Sequence, residues 1–135
     1  MRLTELRGDV VILACAVSAG VHGALAPQHF DESTEAGFGF VAATLLLAGL
    51  VVWLTRRPSS ASALAAAATV LGGLLASYAL AATTGLPGLH PEPEPVDGVA
   101  LVTKAIEAAG LLAASSLLGW QPAALVLRQP KGTPT

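Results

Sequence analysis

Four apolar blocks, each about as long as a membrane crossing, are the feature that most limits how this chain can fold. They lie at about residues 10–26, 35–54, 61–84 and 98–120. A helix rises ~1.5 Å per residue, so ~20 apolar residues cross the hydrocarbon layer of a bilayer. The blocks are continuous and rich in Ala and Leu, which excludes the alternating strands of a barrel. The sequence therefore predicts an all-α fold, a four-helix transmembrane bundle in a single membrane domain over residues 1–135.

The composition agrees with burial in lipid. Charged residues make up 12% of the chain, about half the share that is usual in a soluble protein. The single cysteine, Cys15, excludes an intramolecular disulfide and a cysteine-based zinc site.

The first block also has features of a secretory signal peptide. Arg2 and Arg7 precede its apolar core, and Ala24-Leu25-Ala26 resembles a cleavage site. However, Pro27 directly follows that site and disfavours cleavage, and three more apolar blocks come after it. We therefore expect the first block to be retained as a helix.

Short polar segments mark where the helices begin. Asp9 is the expected cap of the first helix and Asp97 that of the fourth. The outer loops are predicted at 27–34 and 85–97. Candidate caps for the second and third helices are Asp31, Ser33, Thr34, Ser59, Ser60 and Ser62.

The distribution of Arg and Lys predicts the orientation in the membrane. Six of the seven basic residues lie on one side, which should be the cytoplasmic side. These are Arg2, Arg7, Arg56, Arg57, Arg128 and Lys131. We expect both termini in the cytoplasm, the acidic loops outside, and the plasma membrane as the location. Nucleic-acid binding is not supported, because the basic segments are short and the loops acidic.

Glu107 is the most unusual residue within an apolar block. It lies about ten residues into the fourth helix, ~15 Å deep, so it should face the bundle or an aqueous cavity. Lys104 is one turn away on the same face. Two interpretations remain open: a local pair that only fixes the rotation of the helix, or a proton or ligand site.

His22 and Tyr78 are expected at a depth similar to that of Lys104, ~6–10 Å below the outer surface. A ligand pocket or proton site built from His22, Tyr78, Lys104 and Glu107 is therefore geometrically possible. Ser18 and Cys15 share the helix face of His22.

A metal site is a further hypothesis. Imidazole and carboxylate groups suit a divalent cofactor such as copper or zinc. The alternative is an acidic, solvated rim. The candidate metal ligands are His22, His29, Glu32, His90 and Glu94.

Small residues recur every four positions in three of the helices, and such rows allow close helix packing in lipid. Chance in an Ala-rich chain is the alternative explanation. The rows are Ala16, Gly20 and Ala24; Ala65, Thr69, Gly73 and Ser77; and Ala105, Ala109 and Ala113.

Several short motifs lie along the chain. They are His22 with the run at Ala26–Glu32, Gly37–Phe40, Tyr78, Gly85–Pro87 and the run at Pro93–Asp97 that leads to Glu107. Together these motifs resemble a group of small uncharacterised four-helix bacterial integral membrane proteins. In that group the third helix often ends in Arg-Thr-x-Gly-Leu-Pro, whereas this chain has Ala82-Thr83-Thr84-Gly85-Leu86-Pro87. The resemblance implies the fold and places His22, His29, Glu94 and Glu107 at motif positions.

The resulting functional hypothesis is a multi-pass plasma-membrane protein with an outward-facing polar pocket. It would bind a small ligand or a divalent metal, or serve as an accessory subunit of a larger membrane complex. One alternative is a small proton-coupled transporter that uses Glu107 and works as a homo-oligomer, because four short helices leave little room for a pathway. Another is a membrane enzyme that acts on a lipidic substrate with His22 or Glu107 as base, which ranks last.

Overall fold

The computed structural model describes residues 2–87 and 92–126, with residues 120–126 as helix backbone only. These residues confirm the all-α prediction. Each helix contains a stretch that is long and apolar enough to cross a membrane, and the stretch in α4 ends at Gly119. The described helices are α1 (Leu3–Glu32), α2 (Thr34–Arg56), α3 (Ala61–Thr83) and α4 (Gly98–Val126).

Local sequence explains three of the helix starts. The side chains of Ser33 and Ser60 accept hydrogen bonds from the backbone of the first turns of α2 and α3. The carboxylate of Asp97 accepts one from Ala100 N at 2.7 Å and so begins α4. At the end of α3, Gly85 adopts a φ of 72°, a left-handed conformation that glycine reaches without steric cost.

The first helix is longer than predicted at both ends. It begins at Leu3, where the carboxylate of Glu5 accepts a hydrogen bond from Arg2 N at 2.9 Å. Asp9 consequently lies inside α1 and does not cap it. Pro27 also lies inside α1, and α4 likewise continues through Pro122 to Val126. Proline is tolerated in membrane helices because neighbouring groups can satisfy the backbone it frees.

Side-chain packing explains why α1 continues past Pro27. The ring of Phe30 lies directly on Gly37 of α2, at a point where a Cβ would clash with it. The imidazole of His29 stacks on Phe40 with ring centroids 3.6 Å apart. These contacts hold the last turn of α1 against α2, and only Ser33 separates the two helices. The prediction of a loop at 27–34 is therefore wrong, because these residues belong to α1 and α2 except for Ser33.

The helices form a ring in which α1 packs on α2 and α4, while α3 packs mainly on α4. Contacts between α2 and α3 are sparse, and α1 and α3 scarcely touch. One end of this bundle, which we call the acidic end, carries Asp31, Glu32, Glu35, Glu92, Glu94 and Asp97. The opposite end, which we call the basic end, carries Arg2, Arg7, Arg56 and Arg57.

The buried apolar core fills the half of the bundle nearest the basic end. There, Leu47, Leu50 and Leu54 of α2 belong to one cluster with Leu64 and Leu71 of α3. Since α2 and α3 share few contacts in total, they pack together in this half and leave space between them towards the acidic end.

The rows of small residues do not form the helix contacts that we predicted. All members of the three rows are exposed except Ala113, which is half-buried. The close approach involves Ala14 and Gly110 instead, because a Cβ added to Gly110 would come within 2.5 Å of the Ala14 Cβ. Small residues thus do mediate close packing of α1 on α4, but at positions that their spacing did not reveal.

Candidate functional site

A buried ion pair with a third partner lies between α1 and α4. Glu107 has 0% of its surface exposed, and its Oε2 accepts a hydrogen bond from Lys104 Nζ at 2.8 Å. Its Oε1 accepts a second hydrogen bond, from Ser18 Oγ on α1, at 2.6 Å. Both carboxylate oxygens are therefore engaged, as a charge in an apolar interior requires.

The contact between Ala14 and Gly110 makes this arrangement possible. Gly110 follows Glu107 by three residues on α4, and Ala14 precedes Ser18 by four on α1. Because only the methyl group of Ala14 lies between the α1 backbone and Gly110, the short side chain of Ser18 can reach Glu107 one turn away.

His22 extends this network along α1. Its Nδ1 lies 2.8 Å from the carbonyl oxygen of Ser18 and 3.3 Å from the Ser18 hydroxyl. The carbonyl can only accept, and the hydroxyl donates its one proton to Glu107, so Nδ1 must be the donor. In the neutral ring this leaves Nε2 as the nitrogen with the lone pair.

His29 and Phe40 form an aromatic wall next to His22. His29 Nδ1 lies 3.0 Å from the carbonyl oxygen of Leu25, so His29, like His22, is hydrogen-bonded to the backbone four residues earlier in α1. Phe40 of α2 stacks on His29 and lies 5.2 Å from the His22 ring, measured between centroids.

Tyr78 of α3 is the last of the four predicted pocket residues, and it lies next to Lys104. Lys104 Nζ lies 5.5 Å from the centroid of its ring, within the range of a cation–π contact. The Tyr78 hydroxyl is buried and has no hydrogen-bond partner among the described residues. A buried hydroxyl without a partner costs ~1–3 kcal/mol, which makes this group unusual.

The side chains of His22, His29, Phe40, Tyr78 and Lys104 border an open cavity of about 790 Å³ at the acidic end, which is lined by all four helices and the segment before α4. Its wall includes His22, Tyr78 and Lys104, but Glu107 lies beneath it and is reached through Lys104. The backbone of Glu94 donates a hydrogen bond to the carbonyl oxygen of Ala81, which fastens the segment before α4 to α3.

The cavity carries a strong negative charge near its rim. Five carboxylates line it, against the one ammonium group of Lys104. Such a concentration of one sign in a concave site attracts ligands with positive charge. The carboxylates belong to Glu32, Glu35, Glu92, Glu94 and Asp97.

The four residues predicted for a pocket or proton site are thus brought together by the fold. Glu107 contacts Lys104, Lys104 lies over Tyr78, and His22 joins through Ser18. Whether they bind a ligand or a proton stays a prediction. Ser18 is the residue that sequence reasoning missed as a partner of Glu107. The sequence shows that Ser18 lies on the same helix face as His22, but nothing in the sequence indicates that α1 packs on α4.

The metal hypothesis is not supported by the described residues. Among them, no three His, Cys, Asp or Glu side chains are grouped so that they could hold a metal ion. His22, His29, Glu32 and Glu94 all line the cavity without forming such a group. The fifth candidate, His90, lies outside the described residues.

The fold and the site together define a class of protein, a four-helix bundle with membrane-capable helices, a buried ion pair and a polar cavity. Comparisons with known proteins give no matching family model, no similar curated protein and no similar solved structure.

Proposed function

We propose that this chain is a multi-pass plasma-membrane protein that binds a small ligand in the cavity at its acidic end. Both termini lie in the cytoplasm, so the cavity opens to the outside. The positive-inside rule supports this orientation, because Arg56 and Arg57 lie at the basic end while the acidic end has no Arg or Lys in its connections.

The size and charge of the cavity are the observation that carries the proposal. Five carboxylates and the Lys104 ammonium line one concave site at the acidic end, and a few such polar groups are what orient a small ligand in a pocket. The volume of about 790 Å³ is within the ~300–1,000 Å³ typical of small-molecule sites.

Binding fits the geometry better than transport by Glu107. Both oxygens of Glu107 are engaged, and the half of the bundle below it is filled by the apolar core. A membrane enzyme that used His22 as a base would need a nucleophile within reach. The nearby Ser18 hydroxyl is fully buried and donates its proton to Glu107.

Access to the cavity can be tested at Gly39. This residue lines the cavity, and a side chain added there would meet no atom within 4 Å. Gly39→Cys in a Cys15→Ala background should react on intact cells with an impermeant thiol reagent. Gly20→Cys, which is exposed on α1 outside the cavity and would face lipid, should not react.

Occupancy can be tested with the same two positions. Protein extracted in mild detergent should retain a bound small molecule in native mass spectrometry. Gly39→Leu should displace that molecule because its side chain takes up space at the opening between α2 and α3, while Gly20→Leu should not. Equal retention by both variants, or a Gly39→Cys that stays inert even in delipidated protein, would contradict the proposal.

A further inference from the structure

We infer that the ligand of the cavity is a zwitterionic aminophospholipid whose head group enters sideways between α2 and α3. This inference rests on the proposed function and adds the chemical class of the ligand. Three observations support the inference: the opening of the cavity, an apolar groove that continues from the cavity, and the order of charged and apolar groups along the cavity and the groove.

The cavity is open along the line between α2 and α3. Gly39 of α2 and Ser77 of α3 both line the cavity, yet both are exposed on the surface of the bundle. They lie about five to six residues from the ends of their helices, ~8 Å from the acidic end. An opening at this depth faces the bilayer, so a lipid can reach it without leaving the membrane.

An apolar groove of about 360 Å³ continues along the same line towards the basic end. The cavity reaches Ala43 on α2 and Leu74 on α3, and the groove begins about one turn further along each helix. Its walls are almost entirely apolar, as an acyl chain requires. The groove is lined by Leu45, Leu46, Gly49, Leu50, Trp53, Ala66 and Val70.

The groups along this path follow the order of groups in an aminophospholipid. Carboxylates such as Glu35 and Glu92 lie at the rim, where the terminal ammonium of a lipid would be. The Lys104 ammonium lies deeper, and it can donate a hydrogen bond to a phosphate in addition to the one it donates to Glu107. The apolar groove lies deepest, in line with the acyl chains.

The charges select against other classes of lipid. A head group with a net negative charge would be repelled by the five carboxylates of the lining. A cationic amphiphile without phosphate would place no acceptor at the Lys104 ammonium. A primary ammonium offers three hydrogen-bond donors to carboxylates, whereas a quaternary choline head offers none.

The inference can be tested by thermal denaturation of the purified, delipidated protein in detergent with defined lipids. Phosphatidylethanolamine should raise the melting temperature at concentrations ~10-fold lower than phosphatidylcholine or phosphatidylglycerol. A tenfold difference corresponds to about one charge-assisted hydrogen bond between the lipid ammonium and a carboxylate of the cavity. Soluble glycerophosphoethanolamine, which has the head group without chains, should have little effect. Equal stabilisation by all three lipids would overturn the inference.

Two variants assign the effect to the site. Gly39→Leu should abolish the preference for phosphatidylethanolamine, with Gly20→Leu as its matched control. Tyr78→Phe should bind this lipid as tightly as the parent protein, because the Tyr78 hydroxyl is fully buried and does not reach the cavity. Without lipid, Tyr78→Phe should melt at the same or a higher temperature, because it removes a buried group that has no partner.

The failure of this inference is distinguishable from that of the proposed function. If native mass spectrometry shows a molecule that Gly39→Leu removes but that is not an aminophospholipid, the cavity is a ligand site of another class. If Gly39→Leu keeps the preference for phosphatidylethanolamine, the lipid does not bind in the cavity.

Discussion

The Ser18 hydroxyl on α1 and the Glu107 carboxylate on α4, 89 positions apart in the chain, are joined by a hydrogen bond of 2.6 Å. This contact makes Glu107 a link between two helices in addition to a partner of Lys104. It also places the charge of Glu107 against α1, whose His22 borders the cavity.

Removing the Ser18 hydroxyl should destabilise the bundle. Ser18→Ala leaves Glu107 Oε1 without its donor in a fully buried position. The expected loss is about 1–2 kcal/mol, since hydrogen bonds to charged groups are stronger than the average bond between membrane helices. Thermal denaturation in detergent would measure it. Ser116→Ala is the control, because Ser116 only bonds a carbonyl of its own helix, and a loss of equal size there would contradict the prediction.

The Lys104–Glu107 pair can be tested with a double-mutant cycle. Glu107→Gln and Lys104→Met should each lower the melting temperature, because each leaves a charge without its partner. We expect the lower part of the ~3–5 kcal/mol range, since the Lys104 side chain keeps 15% of its surface exposed.

The double variant should recover most of that stability, because an apolar replacement of a buried pair is often neutral. An unchanged melting temperature for Glu107→Gln alone would show that the pair is not structural. Glu35→Gln, at an exposed carboxylate, serves as the control for loss of charge.

The close approach of α1 and α4 predicts opposite effects at two glycines. Gly110→Ala forces a Cβ against Ala14 and should cost about 1–3 kcal/mol. Gly73→Ala, on α3, meets no atom within 4 Å and should stabilise its helix by about 0.5–1 kcal/mol. Denaturation of both variants would measure the difference, and a stabilised Gly110→Ala would show that the two helices can separate freely.

The orientation predicts which positions an impermeant thiol reagent reaches. In a Cys15→Ala background, cysteines at Asp31 and Glu92 should react on intact cells, because both positions are exposed at the acidic end. A cysteine at Pro58, exposed between α2 and α3, should react only after the cells are opened. The reverse pattern would place the acidic end in the cytoplasm.

Local sequence determined the helices and several of their ends. The four apolar blocks sufficed for the fold class, because only a helix satisfies its backbone within one segment in lipid. The start at Asp97 also followed from the sequence, and Ser33 and Ser60 were among the three candidate caps of α2 and of α3, since each cap bonds a backbone N–H three residues away. The pairing of Lys104 with Glu107 was likewise visible, because both are on one helix face.

Only the tertiary structure decided which faces meet. In a soluble protein the apolar face of a helix points inward, but lipid is as apolar as a protein core, so hydrophobicity does not mark the inner face. For that reason the row of Ala16, Gly20 and Ala24 was as plausible as the buried positions Ala14 and Ser18. The continuation of α1 past Pro27 depended in the same way on contacts with α2, which no local pattern in α1 contains.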